Sequence, residues 1–226
     1  MRSIKQLYRR VTDILVRPDP LIERVKPFTM LTPDRLRSLL KLSSQLINRG
    51  IPGAFVECGI CRGGSAAILA YAAKQEGWKR DLYLFDSFQG HPDFASDEAP
   101  DRDEIPKWAG KFAASEEDVK SALRSVDAYN PECVNIVPGW FQDSLRTVSI
   151  SKIALLHIDA DWYDSVLYCL EVLYDKMVTN GYIVIDDYGY NPGCRLAVDR
   201  FISTHQNEMI FCFEISPARV YRRQQG

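Results

Sequence analysis

Four aspartates at the ends of two apolar runs carry the strongest chemical signal in this chain of 226 residues. His157-Ile-Asp-Ala-Asp161 closes one run, and Ile185-Asp-Asp187 closes a later one. Asp186 and Asp187 follow Asp159 by 27 and 28 residues, one strand–helix–strand unit, which brings the three to neighbouring strand tips. Carboxylates at the exit of a buried run are costly unless paired or coordinated. Hard oxygen donors at one point suit Mg2+, with Ca2+ or Mn2+ as the other hard ions. Without a cation, Asp161 reads as a helix N-cap, but the adjacent Asp186 and Asp187 would repel each other. His157 alternates with Asp159 and reads as a satisfied core histidine. His91 lies in a long connection where it can touch a substrate, and His205 reads as surface.

A second signal is the run Phe55-Val-Glu-Cys-Gly-Ile-Cys-Arg-Gly-Gly-Ser65, where an apolar run turns into a helical pattern. Gly59 is followed by Gly63 and Gly64, which is not the dinucleotide spacing G-x-G-x-x-G. Glu57 stands two residues before the first glycine. A carboxylate there accepts from a cationic amine and repels a pyrophosphate, so the turn suits the amino-acid end of S-adenosylmethionine. Asp86 ends the next run, Leu84-Phe-Asp-Ser-Phe88, where a carboxylate can hold a ribose diol through two hydrogen bonds. Cys58-Gly-Ile-Cys61 has the spacing of a redox pair, but glycines follow where a redox helix would continue, and no second pair completes a zinc site. The thiols read as packing groups, with Cys133, Cys169, Cys194 and Cys212 in the core.

These residues need a scaffold that presents strand ends together. Strand-like runs fall at 54–58, 82–85, 134–137, 153–158 and 182–185, with helical spacing at 66–73, 166–177 and 195–205 between and after them. The alternation predicts an α/β fold: a Rossmann-like, doubly wound, mostly parallel sheet with helices on both faces. Two extended runs, 209–215 and 219–222, flank Ser216-Pro217 and predict a C-terminal antiparallel hairpin, which makes seven strands. Residues 31–226 form the domain, and Thr32-Pro33 opens its first helix. The stretch 90–115, rich in proline and acids but carrying Phe94, Trp108 and Phe112, is expected to be a lid. Residues 1–30 read as a helical arm. Ile4, Leu7, Tyr8, Val11, Ile14 and Leu15 share one face among basic residues, a pattern that docks on a domain, a second subunit or a membrane surface.

Composition narrows the classes. With 46% hydrophobic and 26% charged residues, the chain buries a core. A net charge of −2 argues against a nucleic-acid surface. No run has the length of a membrane span, and the first residues lack signal-peptide character, so a cytoplasmic protein without stable membrane insertion is expected.

In combination these segments resemble the macrocin O-methyltransferase family of class I S-adenosylmethionine-dependent methyltransferases. The resemblance is carried by Phe28-Thr-Met30, Ile51 to Ser65, Leu82 to Gly90, Pro138-Gly-Trp-Phe-Gln-Asp143, Ile158-Asp-Ala-Asp-Trp-Tyr163 and Gly181 to Tyr188. It implies methyl transfer from S-adenosylmethionine to a hydroxyl of a sugar or glycosylated small molecule. It implies that Glu57, Gly59, Gly63 and Ser65 hold the methionine part, Asp86 and Ser87 the ribose, and Trp140, Phe141 and Gln142 the adenine. Asp159, Asp186 and Asp187 would bind Mg2+, with Asp159 also among the cofactor-binding residues and Asp159 or Asp161 nearest the reacting hydroxyl and taking its proton. It also implies a homo-oligomer. Catechol O-methyltransferases carry a lysine three residues after the first metal aspartate; Trp162 stands there, which argues against a simple phenol. A phenolic or lipid-linked acceptor, a nicotinamide-dependent oxidoreductase and a non-catalytic cofactor-binding protein are the competing readings.

Overall fold

A computed structural model describes residues 19–224; the expected helix over residues 4–15 lies outside them. Seven strands form one sheet: β1 (Ala54–Cys58), β2 (Leu82–Asp86), β3 (Val134–Pro138), β4 (Ile153–Ile158), β5 (Met177–Ile185), β6 (Met209–Ile215) and β7 (Ala218–Arg223). Their order is β3-β2-β1-β4-β5-β7-β6. The first five pair in parallel, and β7 pairs antiparallel with both β5 and β6. The expected mostly parallel sheet with a C-terminal hairpin is what forms, and the hairpin's second strand lies inside it.

Strand alternation sorts side chains into two cores. Phe55, Leu155 and Val184 face α1 (Pro20–Val25), α2 (Pro33–Asn48), α3 (Gly64–Gln75) and a helix over Glu116–Ser125. Val56, Leu156 and Ile183 face helices over Tyr163–Leu173 and Pro192–Thr204. All of β1 and β4 is buried, as expected for parallel strands covered on both sides. Numbered in chain order, the short α4 (Ile105–Trp108) precedes α5 (Glu116–Ser125), α6 is Phe141–Ser144, α7 is Tyr163–Leu173 and α8 is Pro192–Thr204.

Three departures from the sequence reading have local causes. Pro20, which by its locked ring is expected to help end the arm helix predicted over residues 4–15, instead opens a helix of its own: the Asp19 side chain accepts from Leu21 N, and Ile22 and Val25 are buried against the domain. Helix α5 follows directly on the 90–115 stretch, started by a capping box in which Ser115 and Asp118 exchange hydrogen bonds. Helical spacing runs on through Met177, yet a 3-10 turn at Tyr174–Lys176 stops α7 and Met177 pairs with Ile153 as the first residue of β5. Cysteine placement also differs: Cys169 and Cys194 are buried, whereas Cys212 is exposed on β6 and Cys133 is half-buried. No helix among the described residues is long and apolar enough to cross a membrane.

The double glycine at the start of α3 is a packing device. A Cβ on Gly63 would lie 2.9 Å from Val119 Cα, and one on Gly64 2.6 Å from Thr29 Cβ and 2.9 Å from Phe28 O. These contacts bring α5 and the segment before α2 onto α3. Gly64→Ala is therefore expected to cost about 1–3 kcal/mol of stability, read by urea unfolding; an unchanged midpoint would contradict this contact.

Candidate active site

The carboxyl ends of β1, β4 and β5 meet at a cavity of about 960 Å³. Parallel strands end there together, and their tips are bonded: Asp159 N donates to Cys58 O and Asp186 N to Ile158 O. Gly59, at φ +87°, lies so close to β4 that a Cβ would sit 1.9 Å from Asp159 O. Asp159, Asp161, Asp186 and Asp187 all line the cavity, and the first, third and fourth bring one oxygen each within 4.8 Å of one another.

Beneath the floor, His157 is fully buried between two acids. Its Nδ1 lies 3.0 Å from Glu57 Oε1 and its Nε2 3.6 Å from Asp186 Oδ1. Burial by itself would lower the His157 pKa. The Asp186 and Glu57 carboxylates outweigh it and hold the group at about 10, so the ring is an imidazolium at neutral pH. Arg35, from the first turn of α2, bonds to Asp186 Oδ2 through Nη1. These two cations leave the other carboxylates crowded. Burial, then repulsion from Asp186, Asp187 and Asp161, raises Asp159 well above the carboxylate range. Burial, then Asp187 and Asp186, brings Asp161 to about 8; burial and then Asp186 bring Asp187 to about 6. The Asp187 Oδ2 atom is buried without a hydrogen-bond partner. An all-oxygen, charge-rich set with an orphaned buried acceptor fits a hard divalent cation.

The expected cofactor residues divide into two groups. Gly59, Asp86, Ser87, Trp140, Phe141 and Gln142 line the cavity. Glu57, Gly63 and Ser65 do not. Glu57 points under the floor to His157, because on β1 it lies in register with that residue. Gly63 packs on Val119, and Ser65 is buried in the first turn of α3. Asp86 does more than the sequence indicated. Its Oδ2 accepts from Ile60 N at 3.0 Å and Cys61 N at 2.8 Å, and its Oδ1 from Phe88 N at 2.8 Å, which clamps the glycine turn to β2. Three of its roughly four acceptor positions are thus filled, leaving one bond rather than two for a diol. Burial raises its pKa, and the three N–H donors work against that rise.

The 90–115 stretch walls the opposite side. Trp162 Nε1 donates to His91 Nδ1 at 2.9 Å, which fixes the tautomer that keeps the proton on Nε2. Burial and then Lys111 lower the His91 pKa, in keeping with a neutral ring. Its ring meets Phe112 and Trp162 edge-on at 5.3 and 5.4 Å, and Phe94 packs on Trp140 at 5.4 Å. The stretch is tied to the start of α7: Asp101 accepts from Tyr163 N, and Asp164 accepts from Ser96. Arg35 is the site residue that sequence reasoning missed. It stands 151 positions from Asp186, and no spacing rule links them.

The Macrocin-O-methyltransferase (TylF) family profile matches residues 22–223. The chain belongs to the macrocin O-methyltransferase family. It is 35% identical over 176 residues to demethyldecarbamoylnovobiocin O-methyltransferase of Streptomyces niveus, covering 76% of this chain and 67% of that protein. It is 31% identical over 173 residues to 8-demethyl-8-(2,3-dimethoxy-alpha-L-rhamnosyl)-tetracenomycin-C 4'-O-methyltransferase of Streptomyces olivaceus, covering 75% and 66%. The chain thus spans about two thirds of the length of these two relatives. The solved structure of the O-methyltransferase NovP superposes with a TM-score of 0.80 at 31% identity, over 88% of this chain and 83% of that one. As a macrocin O-methyltransferase family member, the chain is a methyltransferase acting on oxygen.

The charge crowding makes stability depend on pH in a defined direction. A group whose folded pKa lies above its unfolded value stabilises the fold below the unfolded value and loses that contribution as pH rises through the folded one. For Asp187 and Asp161 the loss starts near 3.8 and runs to about 6 and about 8; for His157 it runs from 6.5 to about 10. In EDTA, the melting temperature is expected to fall by roughly 5 °C or more between pH 5 and pH 8. Asp187→Asn should flatten the lower part of that fall, as read by scanning calorimetry. A melting temperature that rises over this range would refute the assignment.

Proposed function

We propose that this chain moves a methyl group from S-adenosylmethionine to a hydroxyl of a sugar or glycosylated small molecule, with Mg2+ held by Asp159, Asp186 and Asp187. The observation that carries the reading is the convergence of those three carboxylates on a cavity beside the glycine turn, in a chain of this family. The rhamnosyl group in the name of one relative supports a saccharide acceptor. S-adenosylmethionine brings a methyl group already activated on a sulfonium. Mg2+ supplies Lewis acidity at the acceptor hydroxyl.

This chain's own residues do the rest. Gly59 lets the cofactor approach backbone, Asp86 and Ser87 meet its ribose, and Trp140, Phe141 and Gln142 border its base. Asp159 serves as a metal ligand. Asp161 lies outside the three-ligand group and takes the hydroxyl proton. Residues 90–115 act as a lid on the domain formed by residues 31–226, and His91 Nε2–H donates to the acceptor. Trp162 orients that ring and stands at the position where catechol O-methyltransferases carry their lysine base. Holding acceptor and donor in line supplies much of the rate.

The test is methyl transfer from radiolabelled S-adenosylmethionine to a panel of glycosides and phenols. Glycosides are expected to be methylated, and Asp187→Asn or excess EDTA to lower turnover about 100-fold or more. Cofactor binding by calorimetry should hold within about threefold, since Asp187 is not among its contacts. Full turnover in EDTA would remove the metal from this account, and transfer to phenols alone would remove the saccharide.

A further inference from the structure

We propose that Arg35 and the divalent cation exchange at Asp186. The guanidinium holds Asp186 Oδ2 in the cation-free protein and turns into the cavity when the cation takes that oxygen. The inference rests on reading Asp159, Asp186 and Asp187 as cation ligands.

It begins with the oxygens of Asp186. Oδ1 faces the imidazole of His157, 3.6 Å from Nε2. That ring is held from its other side by Glu57, and both residues are fully buried on the central strands β4 and β1. Both are packed on all sides, whereas Arg35 borders open space. The exchange takes Oδ2, the oxygen that Arg35 Nη1 already holds, as the one through which Asp186 joins Asp159 and Asp187 around a cation. A dication and a guanidinium on one oxygen repel strongly where water is sparse.

Of the groups around Asp186, Arg35 is the one built to leave. Its side chain is 13% exposed, against 2% for Asp186. It lines the cavity, so its long stem has open space to move into. Its Nε is buried without a hydrogen-bond partner, so a single nitrogen holds it rather than a two-pronged fork. In the cation-free protein, Arg35 thus occupies the Asp186 oxygen that the cation would take.

A purely structural arginine and an exchanging one predict opposite signs. If Arg35 only props Asp186 in place, removing it loosens the ligand set and weakens cation binding. If it competes, removing it strengthens binding. The experiment is titration of the full-length, EDTA-stripped protein with Mn2+, following free Mn2+ by electron paramagnetic resonance. Arg35→Met, which keeps the stem and removes the charge, is expected to bind Mn2+ about tenfold more tightly than the wild type. Arg35→Gln, which keeps a hydrogen-bond donor near Asp186, should also bind more tightly, and Arg35→Lys should stay within about threefold of the wild type. Gln serves as the second neutral variant where Met fails to fold. Wild-type binding with equal or weaker binding by the neutral variants overturns the exchange and leaves the cation site standing. Absence of Mn2+ binding in the wild type and both neutral variants overturns the cation site itself, and the exchange with it.

Discussion

The structure is organised around repulsion among acids that the fold forces together at the ends of three adjacent strands. Parallel pairing of β1, β4 and β5 brings Asp159, Asp161, Asp186 and Asp187 to one cavity floor, where Asp186 and Asp187 are buried and the other two half-buried. Such an arrangement persists only with positive charge to offset it. The protein supplies two cations of its own, one beneath the floor on β4 and one from the first helical turn of the domain. They neutralise Asp186 most directly and leave the other acids to take up protons or a metal ion. Elements far apart in sequence acquire their purpose from this imbalance.

The remaining features of the cavity follow from keeping the strand tips close. Gly59 removes the side chain that would separate β1 from β4, and Asp86 clamps the loop that follows. The paired glycines after it draw α5 and the segment before α2 onto α3, which sets where α2 begins and therefore where Arg35 enters the site. The aromatic wall contributed by residues 90–115 is fixed at its base by hydrogen bonds to the start of α7 and at its tip by the indole of Trp162. Backbone packing, more than side-chain chemistry, decides which groups face the ligand.

Much of this was legible from spacing. Alternating apolar runs marked all seven strands, and the 27-residue interval between acid pairs placed them on neighbouring tips. Direction was harder to read. Glu57 carries the right charge at the right distance from Gly59, yet its strand register turns it away from the cavity toward His157. Helix α5 was hidden because its Ser115–Asp118 box adjoins a stretch dense in prolines and acids. The end of α7 was hidden because Leu170, Leu173 and Met177 keep helical spacing across a change to strand. Arg35 was invisible for a different reason: its role depends on a contact between chain segments with no periodic relation. Local pattern reveals elements, whereas which face a polar residue presents is a property of the assembled sheet.

The strand order has a consequence for how the protein is made. β7, the last of the seven to be synthesised, inserts between β5 and β6, so β5 waits on the ribosome with one edge unpaired after its parallel partner β4 has been made. Asp186 and Asp187 extend from that waiting edge, with Arg219 destined to pair beside Ile185. The acid cluster therefore reaches its final surroundings only when the closing strand arrives, and the nascent chain carries its most self-repelling segment in an unfinished sheet until then.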